Sequence, residues 1–127
     1  MGDLLQELVG IEKACAEAFN RRDVTAILAH FDEQITGFSS TRHQRFHGLD
    51  ELRQTFEYYL SEAEQVSYEF SEPEVVSLDG IAILSFYWKV TLKSGEKVTE
   101  ITGRGSHVFR KTDDGWKIVH EHFSRAH

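Results

Sequence analysis

Gly103–Ser124, GRGSHVFRKTDDGWKIVHEHFS, reads as two strands joined at Asp113-Asp114-Gly115. Asp-Gly between alternating segments is a strong short-range hairpin signal, because glycine accepts the positive φ of a tight turn. Similar signals stand upstream at Asp79-Gly80 and Ser94-Gly95. Together they divide the second half of the chain into four strands, roughly 66–78, 81–93, 96–111 and 115–125. Pro73 falls inside the first of these and has no N–H to give to a ladder, which predicts a bulge or an edge position.

Before Val66 the period is helical. Leu4, Leu8, Ile11, Cys15, Ala18 and Phe19 recur at three- and four-residue steps, with Asp3 placed to cap the helix. Asn20-Arg21-Arg22-Asp23 breaks the pattern, and Asp23 can cap a second, short helix with Val24, Ile27, Leu28 and Phe31 on one face. A β-like run from Ile35 to Ser40, a polar loop from Thr41 to Gly48 and a third helix follow, the last with Leu52, Phe56, Tyr59 and Leu60 inward. Helices first and an antiparallel meander afterwards predict an α+β arrangement, with the helices packed on one face of a curved sheet. The 81–93 strand is apolar on both parities: Ile81 and Ile83 on one, Ala82, Leu84, Phe86 and Trp88 on the other. A sheet wetted on one side alternates apolar with polar, so both faces of this strand are expected to be covered. A second copy of the chain is the simplest cover for the far face, which predicts a homodimer packed sheet to sheet.

The chain has 127 residues, the size of one domain, and residues 1–127 are read as such. No stretch approaches the roughly 20 apolar residues of a membrane span. Met1–Gln6 lacks the basic start and cleavage site of a secretion signal. A formal net charge of −7 disfavours a phosphate backbone or an anionic membrane as partner. The lone Cys15 cannot form an internal disulfide, which favours a reducing cytoplasm, and its place on an apolar helix face reads as core packing.

The chemistry-bearing residues cluster in the last hairpin. If odd positions face the interior, Tyr87, His107, Glu121 and Phe123 line a pocket with Gly103 and Gly105. His107 and Glu121, on neighbouring strands, can form a carboxylate–imidazole pair, either as a general acid/base with its orienter or as a buried structural hydrogen bond. Tyr87 can donate to a ligand or pack its ring at the pocket edge. The two glycines mark either curvature or close approach of a ligand to the backbone. Phe38, Trp88 and Phe123 are further candidate ligand contacts. His120 and His122 share the opposite parity as a two-histidine half-site, but Arg104 and Ser106 on the facing strand are not metal ligands, so no metal is expected. A bulge would swap parities, bringing Arg104, Ser106 and His122 into the pocket with Arg104 as an anion clamp. Arg53 and the Thr41–His47 loop are candidates at the cavity mouth.

Several motifs carry a family resemblance. Asn20-Arg21-Arg22-Asp23, Gly48-Leu49-Asp50-Glu51-Leu52 and the ending Asp114-Gly115-Trp116-Lys117-Ile118-Val119-His120-Glu121-His122-Phe123-Ser124 resemble the SnoaL-like part of the nuclear transport factor 2-like superfamily. The ending, with Ile35-Thr36-Gly37-Phe38, is also similar to the association (hub) domain of calcium/calmodulin-dependent protein kinase II. The resemblance spans nearly the whole chain. It implies a cone-shaped α+β barrel, with three N-terminal and intervening helices packed on the concave face of a curved antiparallel sheet. It also implies an internal cavity for a small-molecule ligand and cofactor-free acid/base catalysis of isomerase, cyclase or dehydratase type. The alternative it implies is a non-catalytic oligomerisation or ligand-sensing domain. Hub domains hold three pocket arginines; the corresponding places here are Tyr87, His107 and Phe123. Ketosteroid isomerases hold a carboxylate on the first strand, where this chain has Phe38 between Gly37 and Ser39.

Overall fold

Strand pairing is set by three tight turns, in which Gly80, Gly95 and Gly115 take φ of 72°, 61° and 100°. The computed structural model describes residues 2–126. In chain order its elements are α1 (Gly2–Asn20), α2 (Val24–Leu28), β1 (Phe31–Phe38), β2 (Phe46–His47), α3 (Gly48–Leu60), β3 (Gln65–Leu78), β4 (Ile81–Ser94), β5 (Lys97–Thr112) and β6 (Gly115–Arg125). The strands form one curved, unclosed sheet in the order β2-β1-β6-β5-β4-β3, with three helices against its concave face. The α+β class and the four-strand meander are as expected from the turn spacing. Among the described residues, no helix is long and apolar enough to cross a membrane.

The departures are local. The sheet is mixed, because β1 lies parallel to β6, with Gly37 opposite Glu121. No hairpin joins these two strands, so no turn imposes an antiparallel direction on them. Phe31 opens β1 instead of closing α2, and the polar loop ends in β2, which buries Phe46. Asp3 lies inside the first turn of α1, not at a cap. Asp23 does cap α2, its Oδ1 accepting from the N–H of Ala26 at 3.1 Å. Beside it, Arg22 adopts φ 63° and donates to the carbonyls of Leu60 at 3.0 Å and Glu64 at 2.9 Å. The break between the first two helices therefore also ties down the end of α3. Pro73 meets both expectations. β3 is an edge strand, and its register shifts between Ser71 and Glu74, where Glu72 has φ 54°.

Register decides which side chains meet. Leu84 pairs with His107 and His107 with Glu121; Phe86 pairs with Gly105 and Gly105 with Phe123; Trp88 pairs with Gly103. Directly opposed residues share a face. Even positions of β4 therefore join odd positions of β5 and of this part of β6 on the concave side, over a core that includes Leu8, Ile27, Leu52 and Phe109. Tyr87 pairs with Arg104 on the outer side, where Val76, Leu78 and Val98 are also exposed.

The same register explains the two glycines inside β5. A Cβ at Gly103 would run into the Trp88 ring and the backbone oxygen of Ser124, and one at Gly105 would lie 2.8 Å from the Phe86 ring and 3.0 Å from that of Phe123. What approaches the backbone closely is thus the aromatic lining of the concave face. Gly103→Ala is expected to destabilise the fold by about 1–3 kcal/mol through overpacking, measured by urea unfolding. An unchanged midpoint would mean that the Trp88 ring and the Ser124 backbone can both give way.

Candidate functional site

The concave face ends in a cavity of about 60 Å³ between the sheet and the helices. Its polar centre is His107, which is 3% exposed and engaged at both ring nitrogens. Nε2 meets Glu121 Oε1 at 2.7 Å, and Nδ1 is hydrogen-bonded to Glu12 Oε2. α1 brings Glu12, β5 brings His107 and β6 brings Glu121. The rings of Phe31, Phe86, Phe109 and Phe123 surround the imidazole at centroid distances of 5.7, 5.5, 6.1 and 5.6 Å.

A neutral imidazole has one N–H, so it can donate to only one of these two carboxylates. Making both contacts requires one further proton, either on the ring or on a carboxyl. Burial by itself pulls the His107 pKa down, but the charges and hydrogen bonds of Glu12 and then Glu121 outweigh it, pushing the pKa up to about 10. The ring is thus held as an imidazolium at neutral pH. Among the described residues, the second oxygen of each carboxylate has no hydrogen-bond partner, and both residues line the cavity.

The rest of the lining is neutral. The Tyr59 hydroxyl is hydrogen-bonded to Ser40 Oγ. Burial, followed by the nearby Glu12 and Glu121, pushes the Tyr68 hydroxyl and the Cys15 thiol well above their usual values. Cys15 therefore stays a thiol, in keeping with a packing role. Trp88 stacks on Phe123 at 5.8 Å and 21°, and its indole N–H is buried with no partner among the described residues.

Of the residues proposed from sequence, His107, Glu121, Trp88 and Phe123 come together at this cavity. Tyr87 does not: it is 52% exposed on the outer side, where it joins Arg104 in an open recess of about 660 Å³. The expectation of one parity for every strand fails because the β4–β5 turn pairs odd with even positions. The bulge expected to swap parities on the last hairpin lies between Val108 and Phe109, and Arg104, Ser106 and His122 stay outside. Phe38 is also outside, with its ring 5.4 Å from that of His122 and under the Arg45 guanidinium. His120 Nδ1 bonds Thr36 Oγ1 at 3.3 Å, and among the described residues no cluster of His, Cys, Asp and Glu is arranged to hold a metal. Arg53 donates to Thr25 Oγ1 at 3.1 Å, joining α3 to α2. Glu12 is the residue that sequence reasoning missed. Its signal was a carboxylate inside the apolar stripe Leu8–Cys15–Phe19, where a solvated face would put none.

Residues 11–127 match the family model of the SnoaL-like domain. Three solved structures show the fold. A candidate dehydratase of the nuclear transport factor 2-like family from Streptomyces avermitilis is 16% identical, with 100% of this chain and 99% of that one covered and a TM-score of 0.84. A calcium/calmodulin-dependent protein kinase II hub from S. rosetta is 20% identical, with 96% of each chain covered and a TM-score of 0.84. A candidate ketosteroid isomerase from Parabacteroides distasonis ATCC 8503 is 25% identical, with 96% and 87% covered and a TM-score of 0.70. No curated protein matches the chain.

Raising the His107 pKa from its usual 6.5 to about 10 links the site to stability. The contribution is fully present below pH 6.5, declines as the unfolded chain loses the proton and the folded one keeps it, and is gone above about 10. An NMR titration of the His107 ring should show a midpoint near 10, while unfolding free energy falls by up to about 1.4 kcal/mol per pH unit across that window. A midpoint at or below the usual value would show that the carboxylates do not hold the proton. His107→Ala, which leaves two buried carboxylates facing each other, should lose roughly 3–5 kcal/mol in urea unfolding.

Proposed function

The chain belongs to the SnoaL-like domain family, and on that premise we propose that its cavity binds a small organic molecule and carries out cofactor-free acid/base chemistry on it. The observation that carries this reading is the Glu12–His107–Glu121 triad, with a free carboxylate oxygen at each end and a cavity in front. Both nitrogens of His107 are occupied, so a carboxylate touches the ligand. Glu121 or Glu12 takes a proton from one position of the ligand and, as the neutral acid, returns it to another, while His107 holds the compensating charge. Trp88 and Phe123 supply the wall against which the ligand rests. Isomerisation, cyclisation and dehydration all need this kind of proton transfer, and the likeness to a candidate dehydratase and a candidate ketosteroid isomerase supports the same class. The catalytic carboxylates would differ from the first-strand base of ketosteroid isomerases, since they stand on α1 and β6.

The volume limits the ligand. A cavity of about 60 Å³ is well below the roughly 300–1,000 Å³ of pockets for drug-sized molecules, so the bound group has few heavy atoms. Screening compact ketones, hydroxy acids and amines in D₂O should give shifts confined to cavity residues and faster C–H exchange for at least one class. Glu121→Gln should then lower exchange by about 10²–10⁴-fold with binding retained. If no compound bound or exchanged, the reading would be wrong.

A second reading, a non-catalytic oligomerisation or ligand-sensing domain, draws on the likeness to the hub and on the outer face of the sheet. Val76, Leu78, Tyr87 and Val98 are each more than half exposed there. Four large apolar side chains on one sheet face favour a homodimer packed through it. Light scattering at micromolar concentration should give twice the chain mass, and a monomer would contradict the dimer.

A further inference from the structure

We propose that the cavity selects a compact organic ammonium ion, because two carboxylates share a single imidazole inside a wall of aromatic rings that offers no other cation. The inference rests on the ligand-binding reading above and narrows its chemistry.

Hydrogen-bond counting fixes the charge. Each of the two His107 contacts needs one proton. With the extra proton on the ring, two carboxylates face one imidazolium. With it on a carboxyl, one carboxylate faces a neutral ring and a neutral acid. Both arrangements leave the same single negative charge. The other titratable groups at the wall are Cys15 from α1, Tyr59 from α3 and Tyr68 from β3, all neutral in their protonated forms. Among the described residues, no lysine or arginine lines the cavity. The surplus charge therefore sits in a low-dielectric space with no partner, where an ionised group is most in need of one.

Two features say what that partner is. Glu12 and Glu121 are 2% and 5% exposed, yet each has an oxygen at the cavity free of hydrogen bonds, placed to accept from a donor. Phe31, Phe56, Tyr68, Trp88 and Phe123 line the same space with aromatic rings, whose π-electrons suit an organic cation better than an anion. An ammonium ion has both the charge and the N–H donors; an alcohol has a donor without charge; a carboxylate has neither.

The test is an NMR titration of the full chain with ethylammonium, its neutral counterpart ethanol, and acetate. Three heavy atoms support at best about millimolar affinity, within reach of amide chemical shifts. Ethylammonium is expected to saturate with shifts confined to cavity residues and to bind at least tenfold tighter than ethanol, with acetate not binding. Glu12→Gln, which preserves shape and removes one of the two carboxylates that would receive the ammonium ion, should reduce that preference at least tenfold. The wild-type comparison decides the matter even if the variant does not fold. Ethanol binding as well as ethylammonium, or acetate binding at all, would overturn the ammonium inference and leave ligand binding intact. No cavity shifts with any of the three would overturn the ammonium inference, while a ketone or hydroxy acid that still bound would preserve the broader reading.

Discussion

Three ionisable side chains can be buried together here only as a unit. An isolated carboxylate loses far more hydration energy than the interior returns, and the penalty is removed by pairing it, not by packing around it. Glu12, His107 and Glu121 offset part of that penalty by sharing one ring between two acids. The elements that carry them are thereby coupled. α1 cannot shift along the sheet without unpairing Glu12, and β6 cannot slip against β5 without moving Glu121 off the imidazole. A one-residue slip would also turn the whole strand inside out. The triad thus selects the register of the last hairpin as much as the turn at Gly115 does.

Much of the fold was legible because its signals are local. Gly80, Gly95 and Gly115 set the turns, Asp23 caps α2, and Pro73 marks the edge. The pairing of His107 with Glu121 was legible for a similar reason, since a short turn fixes which residues face each other across it. What could not be read this way depends on relations between distant elements. Tyr87 went to the wrong face because its parity follows from the β4–β5 register, which alternation within one strand does not reveal. Phe38 and His122 turned outward together because β1 joins β6 as a parallel neighbour, a pairing that no turn announces. Glu12 lies 95 residues from its partner, and only its misfit within an apolar stripe hinted at it.

The sheet keeps two kinds of chemistry apart by a period of two. Inward positions of β4 to β6 carry aromatic rings, the imidazole and a carboxylate, with glycines where the rings need room. Outward positions carry Tyr87, Arg104, His122 and exposed aliphatic residues. Neighbours along the chain therefore belong to different environments, and a cluster such as His120-Glu121-His122 is not one site. The relatives share the backbone that makes this separation possible.

An unclosed sheet has edges, and this one treats them unequally. At one end β2 is two residues long, too short to template a further strand. At the other, β3 runs fourteen residues and would be an open invitation to polymerise. Pro73 withholds an N–H at its middle, Glu72 turns the backbone out of line, and Glu69 and Glu74 surround the kink with charge. The kink and its charges oppose growth by strand addition, the route to fibres, along the longer of the two sheet edges.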